Sequence, residues 1–522
     1  MPIELARVSP FSLPEILQSL WKWFTQMNPS KDGVALFGLK VLPIAMLLIL
    51  APAQIFAQVH ETSLEFPGGY PTAGTAQRFY DEADLNRAIE AYRFFYPNVS
   101  MLGMLRGMEE VGAKENRSFL IFEARPSGVL FTPNSDTPYA AIPLDLKGGP
   151  MIVELPPGQL LGVANDLNFR RVIDISLPNP DARKGGKHLI LPPDWKGKIP
   201  AGYSSGQSTT YRVFLIIRSL PIGGDLKKAK QRLQAVKIRP MSSMPGWTAP
   251  KWTDVSEKHF DATPLQWEND LRFWQALHSI IDSEPAFQGY RHFYGELGVL
   301  GIVKGQPFAP DDRMKGILEQ AAKAANGQMR VQSLYDRRPD RIVWQDRKSW
   351  EWVSLRRDNG TFEAATYTDL DAREKWFWQA AFESPTIFRS QPTGGLLYWF
   401  AARDNAAVFL DGNKTYKLTV PQPVPTKLFW SVTVYDAETR SEIHTNQNMA
   451  ALRSLFELKD KTSAKHVDLY FGSTAPVGKE AQWIKTIPGK GWFAYFRIYG
   501  PEQPAFDGRW KLGDFEEVRE VN

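Results

Sequence analysis

Two stretches of short apolar segments with period-two alternation dominate this chain, each cut at close intervals by Pro and Gly. In the first, Phe119–Phe122, Tyr139–Leu144, Met151–Leu155, Val172–Ser176, His188–Leu191 and Tyr211–Ile217 are separated by turns such as Lys147-Gly148-Gly149-Pro150 and Pro156-Pro157-Gly158. In the second, Val408–Leu410, Thr415–Val420, Leu428–Tyr435, His466–Phe471 and Phe493–Tyr499 follow the same rule, with Asp411-Gly412-Asn413 as a turn between strands. Many short strands with regular turn signals predict antiparallel sandwiches or barrels.

Helical periodicity fills the space before and between them. Leu85, Ile89, Tyr92 and Tyr96 predict a helix over Asp81–Tyr96 that Pro97 stops. Asp225–Val236, Asp311–Ala325 and Leu370–Phe382 read as further helices. Another is predicted to start at Thr263 and Pro264, with Trp267, Leu271, Trp274, His278 and Ile281 on one face. Arg337–Asn359 carries no clear period. A chain of 522 residues is too long for one core. The expected fold is mainly β with a helical insert (α+β): two antiparallel β-sandwich or jelly-roll-like domains joined by a helical region. The expected boundaries are a leader at 1–57, a β domain at 58–224, a helical connection at 225–385 and a β-sandwich at 386–522.

Charge and cysteine content narrow the partners. A net charge of +5 over the whole chain lacks the dense basic stripe of a nucleic-acid footprint, so no nucleic acid is expected. With no cysteine there are no disulfides, thiolate metal sites or thiol nucleophiles. The 17 Trp favour sandwich cores or aromatic-lined grooves. Near the amino terminus, Lys31 and Lys40 precede an apolar run at Val41–Ala53, followed by small residues including Ala57. That order is the pattern of a secretory signal, with cleavage expected near Ala53 or Ala57. The expected location is periplasmic or secreted, the alternative being an uncleaved anchor that supplies the only membrane contact.

Several motifs in order resemble a known bacterial family. Asn134-Ser135-Asp136-Thr137-Pro138-Tyr139, followed by Pro143-Leu144-Asp145-Leu146, resembles a signature of domain of unknown function 1254, as do Leu191–Gly202 and Ile216-Ile217-Arg218. Leu300–Phe308 resembles the connector that follows in that family. Phe429-Trp430-Ser431-Val432-Thr433-Val434-Tyr435-Asp436 and Arg497-Ile498-Tyr499-Gly500-Pro501 resemble domain of unknown function 1214, which usually comes next. The resemblance implies an exported, β-rich two-domain protein with a jelly-roll-like carboxyl-terminal part, and it implies no activity.

Candidate chemistry starts at the Pro-bounded turn before Tyr139. Asn134 and Asp136 there either bond nearby backbone amides or form a site, with Asp136 as general acid or base and Asn134 and Tyr139 orienting a substrate. Arg218, at the end of an apolar strand, is placed to pair with Asp136. Asp136, Tyr139 and Arg218 are thus the catalytic candidates. Alternation along Asn165–Asp174 puts Asp166, Asn168 and Arg170 on one face, which is either a platform for a sugar or carboxylate or a solvated surface. Trp430, Tyr435, Asp436, Trp483 and Arg497 are further ligand-binding candidates in the second domain. Asp436 and Glu438, followed by Arg440 and His444, offer a weak carboxylate pair of the glycosidase kind. The histidines show no metal-ligand spacing and no phosphate-binding loop is present, so neither metal nor cofactor is expected. Two functions remain open: a hydrolase acting on a glycan or other envelope compound through a carboxylate-centred site, and a non-catalytic ligand-binding or assembly module with an aromatic groove. The expected partner is a small molecule or glycan, and self-association is left open.

Overall fold

A computed structural model of the protein describes residues 65–176, 184–243, 245–353, 356, 360–384, 392, 395–461 and 464–518. The leader read from the sequence at 1–57 lies outside them. Among the described residues no helix is long and apolar enough to cross a membrane. The chain divides after Arg78, and the unit Phe79–Asn522 carries every sheet.

The protein is mainly β with helices, as the alternation predicts. The first set of strands is β1 (Ser118–Phe122), β2 (Tyr139–Asp145), β3 (Met151–Leu155), β4 (Leu160–Asp166), β5 (Arg171–Ser176), β6 (Gly186–Leu191), β7 (Ser204–Gln207), β8 (Arg212–Ser219), β9 (Lys237–Pro240) and β10 (Lys251–Asp254). They form one sheet in the order β10-β1-β2-β8-β4-β5 and another in the order β7-β6-β3-β9. Side chains that alternate inward, among them Phe119, Ile121, Ile142, Val153, Leu215 and Ile238, fill the layer between the sheets. The opposite face of the six-stranded sheet is not solvated. There a cross-strand row of Phe122, Tyr139, Arg218 and Leu161 runs over β1, β2, β8 and β4.

The second set comprises β11 (Glu351–Trp352), β12 (Leu396–Ala401), β13 (Tyr416–Pro421), β14 (Thr426–Asp436), β15 (Ala451–Arg453), β16 (His466–Gly472), β17 (Trp483–Lys485), β18 (Trp492–Pro501) and β19 (Phe515–Glu517). The sheets are β11-β12-β18-β14-β15 and β17-β16-β13-β19. Trp399, Trp430 and Phe496 lie on the inner face of the first of these, with Trp430 stacked on Phe496 at 5.4 Å. The other face carries Tyr398, Ser431, Thr433, Tyr435, Tyr495, Arg497 and Tyr499, one residue out of phase.

The helices are α1 (Ala73–Glu110), α2 (Leu226–Gln234), α3 (Leu271–Ser283), α4 (Arg291–Val299), α5 (Asp312–Leu334) and α6 (Leu370–Ala380). Asp225, Asp270, Asp311 and Asp369 cap four of them by accepting a backbone N–H. Several expectations change. Helix α1 continues through Pro97, because Tyr92, Phe95, Tyr96, Val99 and Leu102 bury a continuous stripe that outweighs one lost hydrogen bond. Helix α3 begins at Leu271 rather than Thr263, and its buried face is Phe273, Trp274, Ala276, Leu277 and Ile280. Three of the four sheets are mixed, since β1–β10, β6–β7 and β16–β17 pair in parallel, while the β11-β12-β18-β14-β15 sheet is antiparallel throughout. The stretch 225–385 is not purely helical, because β9 and β10 return to the amino-terminal sheets. Val408–Leu410 forms only an isolated bridge between Arg403 and Phe409.

Candidate functional site

The Pro-bounded loop 131–138 leaves the amino-terminal sheet and is held by the carboxyl-terminal one. Asn134 Oδ1 accepts the Asp136 backbone N–H at 2.8 Å, a local turn of the type Asn favours. The Pro133 carbonyl accepts the Tyr435 hydroxyl, and the Ser135 carbonyl accepts Arg453 Nη1 at 2.8 Å. The Thr132 amide donates to the Arg440 carbonyl at 2.8 Å and its hydroxyl to the Gln379 carbonyl at 2.8 Å. Thr132 itself sits at φ 43, a left-handed conformation these bonds impose.

Asp136 is fully buried at this junction. Its Oδ2 accepts the Ser431 hydroxyl at 2.6 Å and the Tyr499 hydroxyl at 2.8 Å, and Tyr499 Oη in turn accepts Asn134 Nδ2 at 2.6 Å. Burial, and then the Asp136 carboxylate beside it, hold the Tyr499 phenol well above its usual range, so it stays a donor. Among the described residues Asp136 Oδ1 has no hydrogen-bond partner. Next to it, Ser135 Oγ donates to Glu442 Oε1, while Glu442 Oε2 likewise has no partner among them. Burial pushes the Glu442 carboxyl up to about 7, against the opposing pull of Ser135, Arg497 and Arg453.

In front of this cluster lies a cavity of about 110 Å³. One wall is the row Phe122–Tyr139–Arg218–Leu161, and another is Tyr398, Tyr495 and Arg497 from β12 and β18. Met104 and Met108 of α1, the loop at Leu130–Asn134, and Gln379–Phe382 at the end of α6 complete it. Arg218 is 8% exposed and Arg497 2% exposed. Arg218 Nη1 donates to the Tyr398 hydroxyl at 3.2 Å, and its guanidinium lies 5.8 Å from the Tyr139 ring centroid. Arg497 donates to Thr433 Oγ1 at 2.9 Å and to Tyr435 Oη at 2.7 Å, over the rings of Tyr398 and Tyr495 at 5.0 and 5.1 Å. Neither forms an ion pair among the described residues. Burial pushes the Tyr139 phenol up to about 12.

The sequence candidates therefore separate. Asn134, Tyr139, Arg218 and Arg497 line the cavity; Asp136 and Tyr435 lie behind its wall. The expected Arg218–Asp136 pair is absent among the described residues: Arg218 Nη1 reaches Tyr398, and Asp136 Oδ2 accepts the two hydroxyls. Asp166, Asn168 and Arg170 do not share a strand face: β4 ends at Asp166 and β5 begins at Arg171, and Phe169 at φ 55 turns the chain. Asp166 instead accepts the amides of Asn168 and Arg170, both at 3.0 Å, and of Thr209 at 2.8 Å, and so stabilises that turn. Trp430 belongs to the sandwich core. Trp483 donates to the Gly472 carbonyl at 2.9 Å on the far sheet, so no aromatic groove joins the two. Asp436 accepts the Glu438 and Thr439 amides and Lys490 Nζ at 3.0 Å, and it closes a turn. Tyr398, Ser431, Glu442 and Tyr499 were not singled out by sequence. Period-two alternation with Tyr435 and Arg497 was the available signal for Ser431 and Tyr499.

The families match this layout. Residues 119–240 match "Protein of unknown function (DUF1254)" and residues 395–503 match "Protein of unknown function (DUF1214)". The chain is a two-domain protein of the DUF1254–DUF1214 arrangement. The crystal structure of the VPA0106 protein from Vibrio parahaemolyticus is similar to it at 17% identity and a TM-score of 0.52, over 84% of this chain and 100% of that one. An uncharacterized protein from Burkholderia cenocepacia is similar at 11% identity and a TM-score of 0.39, over 86% of this chain and 97% of that one. No curated protein matches the chain. The cavity thus lies where the DUF1254 and DUF1214 sheets meet, with lining residues from both.

Glu374 and Glu383, like Glu442, are pushed up to about 7 by burial. Between the ordinary glutamate range and about pH 7 the folded chain binds more protons than the unfolded one. Stability is therefore fully present below that window and falls as pH rises through it. Denaturation midpoints at pH 5 and pH 8 should show this drop, and Glu442→Gln should reduce it, because one buried carboxyl that ionises in this window is removed. An unchanged drop in the variant contradicts the assignment.

Proposed function

We propose that the cavity at the DUF1254–DUF1214 junction binds a small molecule, and that the protein is an exported ligand-binding module of the cell envelope. The observation that carries the reading is a cavity walled by apolar side chains from both domains, into which two buried guanidiniums project. Pockets of this composition, mostly apolar with a few fixed polar groups, are the usual form of small-molecule sites. The two arginines are held by tyrosine rings and hydroxyls, which keeps the site pre-formed. Export rests on the Lys-flanked apolar run at Val41–Ala53.

A carboxylate-centred hydrolase is the weaker reading. Asp136 and Glu442 are both buried behind the wall, and their hydroxyl partners act between the domains. A general acid or base needs hydrogen-bond reach to its substrate, and neither carboxyl lines the cavity.

Val163 lines the cavity from β4. Val163→Phe should fill the void at little cost in stability, because overpacking costs about 1–3 kcal/mol only where no space receives the ring. Ligands found by titration calorimetry on the wild type should lose at least about tenfold in affinity in this variant. Ligands that bind both proteins equally would remove the cavity as the site. For export, mass spectrometry of the secreted or periplasmic form should find an amino terminus just after Ala53 or Ala57; an intact Met1 would contradict cleavage.

A further inference from the structure

The charges around the cavity do not cancel locally. Arg453 is paired with Glu457 at 2.6 Å. Arg497 lies within the fields of Asp136 and Glu442 but forms no ion pair with either, and its Nε has no hydrogen-bond partner among the described residues. The groups acting most strongly on Arg218 are the phenols of Tyr398, Tyr139 and Tyr499, and it forms no ion pair among the described residues. A guanidinium more than nine-tenths buried and without an ion pair has lost hydration without gaining a counter-ion in contact. Desolvating such an ion costs more than a cation–π contact returns.

We infer that the ligand is a carboxylate with a compact apolar body, its head bound by Arg218. This inference rests on the cavity being a binding site. Arg218 spends one Nη1 hydrogen on Tyr398, and its Nε–H and Nη2–H have no partner among the described residues. Those two parallel donors form the edge that receives both oxygens of a carboxylate. One guanidinium without an ion pair calls for one negative charge, which favours a carboxylate over a phosphate dianion. Arg497, over the same Tyr398 ring that Arg218 touches, adds attraction from the adjoining sheet. The remaining wall is mostly apolar, with Met104, Met108, Phe131, Val163, Phe214 and Phe382 beside the polar Thr132, Asn134, Gln379 and Ser384. A volume of about 110 Å³ is smaller than the ~150 Å³ that admits benzene, so the apolar body has fewer carbons than benzene.

Titration calorimetry of the full chain with hexanoate and with hexanamide tests the inference, since the two differ in charge but hardly in shape. Hexanoate should bind at about 1 mM or tighter. Hexanamide should bind at least about tenfold more weakly, the value of charge-assisted hydrogen bonds. Arg218→Gln should abolish the preference and leave hexanamide unchanged. Arg218→Lys, which keeps the charge and loses the two-pronged edge, should keep only part of it. Equal wild-type affinity for acid and amide overturns the carboxylate assignment and leaves the cavity reading standing. Full preference in Arg218→Lys overturns the two-pronged contact, and full preference in Arg218→Gln overturns Arg218 as the group that binds the head. Binding of neither probe by the wild type removes the cavity reading and this inference together.

Discussion

Burial of the Asp136 carboxylate against two hydroxyls from another sheet is the contact on which the rest of the site depends. A carboxylate removed from water is tolerated only where donors replace the lost hydration, and Ser431 and Tyr499 supply them. Because both donors come from the DUF1214 sheet, the DUF1254 loop has its partners only when the two sheets are docked. The neighbouring bonds from Tyr435, Arg453 and Glu442 extend the same dependence along Pro133–Ser135. Breaking one member costs more than its net contribution, since a buried partner is left unsatisfied. The loop therefore acts as a lock between the domains.

The lock also explains the void beside it. Two sheet faces built of aliphatic side chains would interdigitate and close. Here the facing rows carry Arg218 on one side and Tyr398, Tyr495 and Arg497 on the other, whose positions are set by the hydrogen bonds at their tips. These heads cannot collapse into the gap without losing those partners, so space remains among the apolar residues. The same constraint keeps the guanidiniums aimed inward and gives the cavity a charged end in a low-dielectric wall, where electrostatic selection is strong.

Most of the strand architecture was legible because alternation is a local signal. Met151–Leu155 and the Phe429–Tyr435 segment are readable from their own residues. What was not legible depended on partners distant in sequence. Pro97 stops an isolated helix, but α1 is carried past it by the core it covers. Asp166, Asn168 and Arg170 obey alternation only on a continuous strand, and a tight turn at Phe169 intervenes. Trp430 and Arg497 are both marked by the same motifs, yet register places them on opposite faces of one sheet. Parity along β14 separates Trp430 from Ser431, Thr433 and Tyr435, and it is the part of the sequence that most directly forecasts which side chains meet the other domain. The Arg218–Asp136 pairing failed for a different reason: opposite charge says nothing about which hydroxyls already occupy a carboxylate.

A double-mutant cycle on Asp136→Asn and Ser431→Ala, followed by denaturant unfolding, tests the lock directly. Residues that share a buried bond should show a coupling of about 1–3 kcal/mol, each single change costing nearly as much as the pair. Additivity within about 0.5 kcal/mol would mean that the two groups act independently, and the docking of the domains would then need another cause.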